Sequence, residues 1–231
     1  MIARAPGSGI TLSASPGTNT ITFTPSPDPS GFDQVASFTT SGTFTIADGD
    51  PTVTTTNYLV VAGGGSGAGG GGAGHGAGAA GNTPPVSPPQ GNPGGTGYPG
   101  SGNPDGGGGG GGAGAAGGTG GCGVGGTGGA GINVAPVFGT APQPFYIANQ
   151  SGNAGNTACG QFAGGAGGSS YSGFPSTGAI GGGANGAVNS EGDGKNGTTN
   201  SGGGGAGTQA LPADSGAGGS GIVLIRYKFQ N

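Results

Sequence analysis

Charge is what this sequence has least of: four Lys or Arg and eight Asp or Glu in 231 residues, about 5% where a globular protein carries about a quarter. So few cations give no basic patch for a phosphate backbone, which excludes nucleic acid as a partner. The net charge of -4 is also too thin to keep the chain open by self-repulsion, as disordered chains are kept. Tryptophan is absent, and histidine and methionine occur once each. With His75 alone, neither a catalytic triad nor a zinc site has its partners. No apolar stretch approaches the roughly 18 residues of a membrane span. Met1 to Gly7 has one positive charge and no apolar core, so no secretory signal is expected. A surface protein without such a signal would have to leave the cell by another route, of which release by lysis is one. Two cysteines, Cys122 and Cys159, leave one pairing available, and either a loop staple or two buried thiols fits.

What fills the chain instead is glycine, 68 of 231 residues, against about 7% in ordinary proteins. Collagen is excluded because the glycines come in runs such as Gly106 to Gly112 and keep no strict triplet. The runs fall at about 62–81, 106–131, 163–169, 181–187, 202–207 and 215–221. Ordering glycine costs more backbone entropy than ordering any other residue, and there is no side chain whose burial offsets it. The backbone itself remains. Extended helices with three residues per turn leave N–H and C=O pointing outward, and without Cβ they can pack side by side and bond to one another. A bundle of such polyglycine-II helices, with long loops between them, is the expectation, with flexible tethers of the Gly/Ser kind as the alternative. Ala68, Ala73, Ala113, Ala166, Ala206 and Ala217 would face outward, where a methyl fits.

Both ends of the glycine-rich region read as β. Gly9 to Ser13 and Thr20 to Thr24 alternate around the turn Ser15 to Asn19, predicting a hairpin. Pro25 to Gly31 reads as a linker, since three prolines cannot donate to a ladder. Val35 to Thr40 and Thr43 to Ile46 form a second pair around Ser41-Gly42, and Asn57 to Val61 is apolar enough for a buried strand. Gly221 to Phe229 is the strongest strand, and a sheet could pair it with the strand before the first run. The expected fold is therefore mostly β and irregular, with essentially no α-helix. A small antiparallel base would be formed by the chain ends. Residues 1–34 form an N-terminal hairpin or attachment segment, and 35–231 a glycine-rich domain with β borders at 35–61 and 221–231 around runs and variable loops at 62–220.

Phe38 to Thr45, Tyr58 to Gly65 and the closing Gly218 to Tyr227 resemble the borders of the glycine-rich domain of tailed-phage tail-fibre and other virion proteins. More loosely, the interior is similar to the tail-fibre tip adhesins whose polyglycine-II sandwich presents variable loops, although no segment matches their N-terminal attachment domain. The resemblance implies a virion surface or tail appendage and a role in host attachment. Its partners would be other virion proteins, copies of the same chain in a homotrimer and a host-surface receptor.

The chemistry of an enzyme is not in the sequence. Lys195 follows Gly194 without the Ser or Thr of a phosphate-binding loop. Asp48-Gly49-Asp50 and Glu191-Gly192-Asp193 fall short of a calcium loop and read as polar turns. No cofactor or metal site is expected. The candidate contacts are aromatic: Tyr98, Phe145, Tyr146, Tyr171 and Phe174, all in the richer loops between runs. Each could meet a receptor, or pack over the bundle or a neighbouring copy. The other function classes considered are a purely structural capsid or fibre decoration subunit, an extracellular matrix protein and an ice-binding protein. The last would need a regular triplet repeat that is absent.

Overall fold

The computed structural model describes residues 2–4, 11–13, 20–25, 32–41, 45–47, 56–65, 76–100, 105–146, 160–171, 173–188, 192–209 and 213–228. Among them the chain is mostly strand and irregular backbone, and helix is confined to a four-residue turn, α1 (Ala135–Phe138). The strands are β1 (Ile2–Arg4), β2 (Thr11–Ser13), β3 (Thr20–Pro25), β4 (Phe32–Phe38), β5 (Thr45–Ala47), β6 (Thr56–Val61), β7 (Ile132–Asn133), β8 (Gln161–Phe162) and β9 (Ile222–Lys228). They form a three-stranded sheet β1-β2-β5, a four-stranded sheet β3-β4-β9-β6 and the short pair β7-β8, all antiparallel.

The strands on either side of the glycine-rich region do pair: β6 lies against β9, with Val61 opposite Ile222. The other expected pairings change partners. Of the hairpin expected from Gly9 to Thr24, β2 lies between β1 and β5, so neither of its edges is open to β3. Likewise β4 is flanked by β3 and β9 and leaves no edge for β5, which dissolves the pair expected around Ser41-Gly42. Pro25 ends β3 opposite Phe32, so the proline-rich segment joins two paired strands. A proline is tolerated there because β3 is an edge strand. β4 itself spans positions 34 and 35.

The glycine-rich part is held by backbone hydrogen bonds that recur every third residue. Gly107, Gly110 and Ala113 donate to Ser169, Ala166 and Ala163 on an antiparallel neighbour. The carbonyls of Gly106, Gly109 and Gly112 accept from Tyr98, Gly95 and Asn92, and those of Gly107 and Gly110 accept from Gly126 and Gly129. The 163–171 segment repeats the device: residues 164, 167 and 170 donate to 181, 184 and 187, while 165, 168 and 171 donate to 129, 126 and 123. One segment thus bonds several neighbours in different directions, which a flat ladder with period two cannot do.

Such close approach leaves no room for side chains. A Cβ on Gly109 would fall onto the Thr127 carbonyl, and one on Gly168 onto that of Gly107. Where alanine does occur, the outward expectation holds only in part. Ala217 is exposed and Ala113 half-buried, but Ala166 and Ala206 are buried and pack with Ala184. The reason is geometric: three segments meet there, and their methyl groups pack against one another. Ala68 and Ala73 lie outside the described residues.

A side-chain core joins the four-stranded sheet to the excursion between residues 132 and 162. Val35, Val61, Ile222 and Leu224 from the sheet pack with Val134, Phe138, Phe145, Tyr146 and Phe162. Pro136 lies in the first turn of α1, where its missing N–H costs nothing, and the Ala135 N–H donates to the Asn133 side chain.

Candidate recognition end of the glycine-rich segments

The hydrogen bonds fix which ends of the segments lie together. Ala113 donates to Ala163, Ala163 to Ser201, and Gly202 to Ser220, two residues before β9. These positions form the end next to the sheet. At the opposite end of the same segments, Tyr98 donates to Gly106, Gly107 to Ser169, Ser170 to Ala187 and Tyr171 to Gly123. This far end gathers Tyr98, Asp105, Cys122, Val124, Tyr171 and the 173–176 turn.

The five aromatic candidates divide between the two ends. Phe145 and Tyr146 sit at the sheet end, each 5% exposed, in the core described above. Their rings meet edge to face at 4.9 Å and 80°, and Tyr146 meets Phe162 at 6.2 Å and 64°. The Tyr146 hydroxyl donates to the Gly139 carbonyl at 2.6 Å, and burial pushes its pKa up to about 12. Of the two roles open to these rings, packing is the one their position serves, because a ring enclosed in the core has no face to offer another molecule. Tyr98, Tyr171 and Phe174 are at the far end. Tyr98 is half-buried, Tyr171 is 38% exposed and Phe174 is 78% exposed. The turn carrying Phe174 is anchored behind it, where the Ser176 hydroxyl donates to the Gly168 carbonyl.

Two features of this far end were not legible as a site in the sequence. Asp105 is 8% exposed and one of its carboxylate oxygens has no hydrogen-bond partner, while its backbone carbonyl accepts from the Gln209 side chain. Cys122 pairs with it in an isolated β-bridge and is exposed. Cys159 lies outside the described residues, so the Cys122–Cys159 pairing does too. His75, Asp48, Asp50 and Glu191 are likewise outside them. Asp193 accepts from the Asp214 backbone N–H at 3.0 Å, as a polar turn would.

At the sheet end, β6 departs from the buried strand expected of Asn57 to Val61. It is an edge strand with one covered face, so Val61 is buried while Tyr58 is 75% and Val60 64% exposed. The run carried no signal of this, since Tyr58, Leu59, Val60 and Val61 are all apolar and only the strand's place at the sheet edge exposes one face. Tyr58 and Val60 stand opposite Ile225 and Val223 on β9, giving an apolar strip at the sheet edge.

Among the described residues no group of three or more His, Cys, Asp or Glu could hold a metal ion. No helix there is long and apolar enough to cross a membrane. No family model matches the chain, and neither the curated proteins nor the solved structures contain a match.

Proposed function

We propose that this chain is a non-catalytic structural protein of a virion, a tail-fibre or appendage component that displays variable loops toward a host surface. In this reading the glycine-rich segments are polyglycine-II helices packed into a stiff spacer. Its support is the three-residue hydrogen-bond period, which matches three residues per turn. None of Gly106 to Gly112 has a positive φ, as a left-handed helix of one hand requires. The observation that carries the function is the division of aromatics. Of the candidate loop rings, Phe145 and Tyr146 lie inside the core at the sheet end, while Tyr171 and Phe174 stand exposed at the far end; the exposed ring of the sheet end, Tyr58, belongs to a strand and not to a loop. Tyr, Ser and Gly around exposed rings make adaptable contacts at low entropic cost.

A second reading, a subunit whose side chains mediate assembly, is favoured by a separate observation: the exposed Tyr58 and Val60 on the β6 edge. An open, uncharged, β-branched edge invites another strand or surface. The two readings combine if the sheet end binds other virion proteins or further copies and the far end faces outward. The proteins would then be assembled in the cytoplasm of the host and exposed on the particle.

One experiment separates the ends. In particles carrying Tyr171→Ala and Phe174→Ala together, incorporation is expected to stay normal and adsorption to fall about tenfold, the effect of losing about 1.4 kcal/mol of contact. In Tyr58→Ser particles, incorporation is expected to fall instead. Normal adsorption by the doubly substituted particles would remove the receptor role from the far end.

A further inference from the structure

The four-stranded sheet is open at one rim and covered further in. Register sets two apolar rows across the face turned away from the core: Phe38, Val223 and Val60, and beside them Ala36, Ile225 and Tyr58. Phe38 and Ala36 are buried, Val223 and Ile225 partly buried, and only Val60 and Tyr58 on β6 stand exposed. Among the described residues no strand lies beyond β6, and no backbone hydrogen bond reaches its outer edge.

Edge strands that must stay single are blunted by a proline, a charge, a bulge or short length. β3, the other edge of this sheet, ends on Pro25. β6 reads Thr-Asn-Tyr-Leu-Val-Val and has no Pro, Gly or charge. Its exposed pair is also self-complementary, since Tyr58 and Val60 lie two residues apart on one face. If the strand is turned end for end, the ring of one copy meets the branched chain of the other.

We infer that β6 is a joint between two copies of this chain, paired antiparallel with itself about a two-fold axis between the two Leu59 residues. Main-chain hydrogen bonds give the affinity, as when a strand is added to a sheet edge. The pleat limits the register. A slip of one residue would set Tyr58 opposite Leu59, whose side chain packs on the core face. In the register centred on Leu59, Tyr58 faces Val60 of the second copy and Val60 faces its Tyr58, an aromatic and β-branched pairing that is favourable across strands. A two-fold axis perpendicular to the sheet keeps both apolar faces on one side, as an isologous contact requires. The contact occupies the edge of both copies, so assembly stops at two. Only Asn57 to Val61 pair on each side, far fewer than the roughly 20–30 residues of a standard interface, so the dimer dissociates on dilution. This joint rests on the assembly reading of the β6 edge and gives that edge one partner, a second copy.

The test is the mass of the full chain in solution, followed by sedimentation up to about 1 mM, with two variants and their mixture. The parent is expected to pass from monomer to dimer as concentration rises. Tyr58→Lys and Val60→Glu each set a charge opposite an apolar side chain, and diagonal to the same charge of the second copy. Each alone is expected to weaken the dimer about tenfold or more, with an unchanged melting temperature because both positions are exposed. In a one-to-one mixture the new ammonium and carboxylate face each other in this register alone. A mixed dimer about tenfold tighter than either variant's own is therefore expected. A monomer at every concentration, growth beyond two copies, a dimer that neither variant weakens, or one that mixing does not restore would overturn the inference. The particle experiment fails separately. A monomeric chain whose Tyr58→Ser particles still lose incorporation keeps the assembly reading and removes the two-copy joint, leaving the edge to another virion protein.

Discussion

The two halves of this molecule are ordered by opposite means. At the sheet end, Phe162 and Leu224 are 1% and 0% exposed, and nine side chains enclose one another. In the segment Gly106 to Gly112 there is no side chain to enclose, and order rests on bonds such as Gly109 N–H to Gly118 and Gly110 N–H to Ala166. A side-chain core fails when atoms are removed, because a cavity is left behind. A backbone lattice fails when atoms are added, because the neighbour that would have to yield is itself main chain. The sheet end thus depends on what its residues carry, and the bundle on what they lack.

The sharpest way to break this contrast is to remove a ring from the core. Phe162, 1% exposed, lies in the one cluster that holds side chains from both the sheet strands and the 132–162 excursion, so Phe162→Ala is expected to cost about 3–5 kcal/mol. Chemical denaturation of the purified protein measures it. A loss under about 1 kcal/mol would mean that the bundle, and not this core, holds the sheet in place.

The complementary change adds a single methyl. Gly109→Ala puts a Cβ against the Thr127 and Gly126 backbone, and overpacking of this kind costs about 1–3 kcal/mol. Gly76→Ala is the control, since nothing lies within 4 Å of its Cβ. There the expected change is within about 0.5 kcal/mol, and a small gain is expected from reduced freedom of the unfolded chain. Equal effects at the two positions would show that the runs tolerate side chains and that their packing is loose.

The same contrast explains what could be read before any coordinates. The β character of β3 could be read from alternation, that of β6 from an apolar run and that of β9 from one apolar face, and a sheet joining the two ends of the glycine-rich region could be expected, as β6 and β9 form. Strand partners were not, since Thr, Val and Ile favour a pleated surface without naming a neighbour. Which edge of β2 or β4 is occupied depends on strands far away in sequence. In the bundle, composition announces that backbones pack, but every run looks alike, so nothing in it says that Gly107 meets Ser169 or that Gly126 meets Gly107. The candidate residues show the same limit. Phe145 and Phe174 sit in similar Pro- and Ser-containing loops, yet one is 5% and the other 78% exposed. The difference arises from which end of the bundle each loop closes, and that alternates along the chain.

Tyr146 gives the finest test, because one side chain contributes both a core ring and a buried hydrogen bond. Its ring belongs to the side-chain core and its hydroxyl reaches the Gly139 backbone carbonyl at 2.6 Å. Tyr146→Phe keeps the ring and removes the bond, so a loss of about 0.5–1.5 kcal/mol is expected near neutral pH. The pH dependence follows from the folded phenol ionising near 12 while the unfolded one ionises near 10. Below about pH 10 both states are protonated and the full contribution is present. Between about pH 10 and 12 the unfolded state releases its proton first, so stability falls as pH rises. The Phe variant has no such proton, and the gap between it and the parent is expected to narrow over that range. Urea titrations at neutral and alkaline pH read the gap directly. A gap that stays constant would mean that the phenol is as well solvated in the folded state as in the unfolded one, and that this corner of the core is open to water.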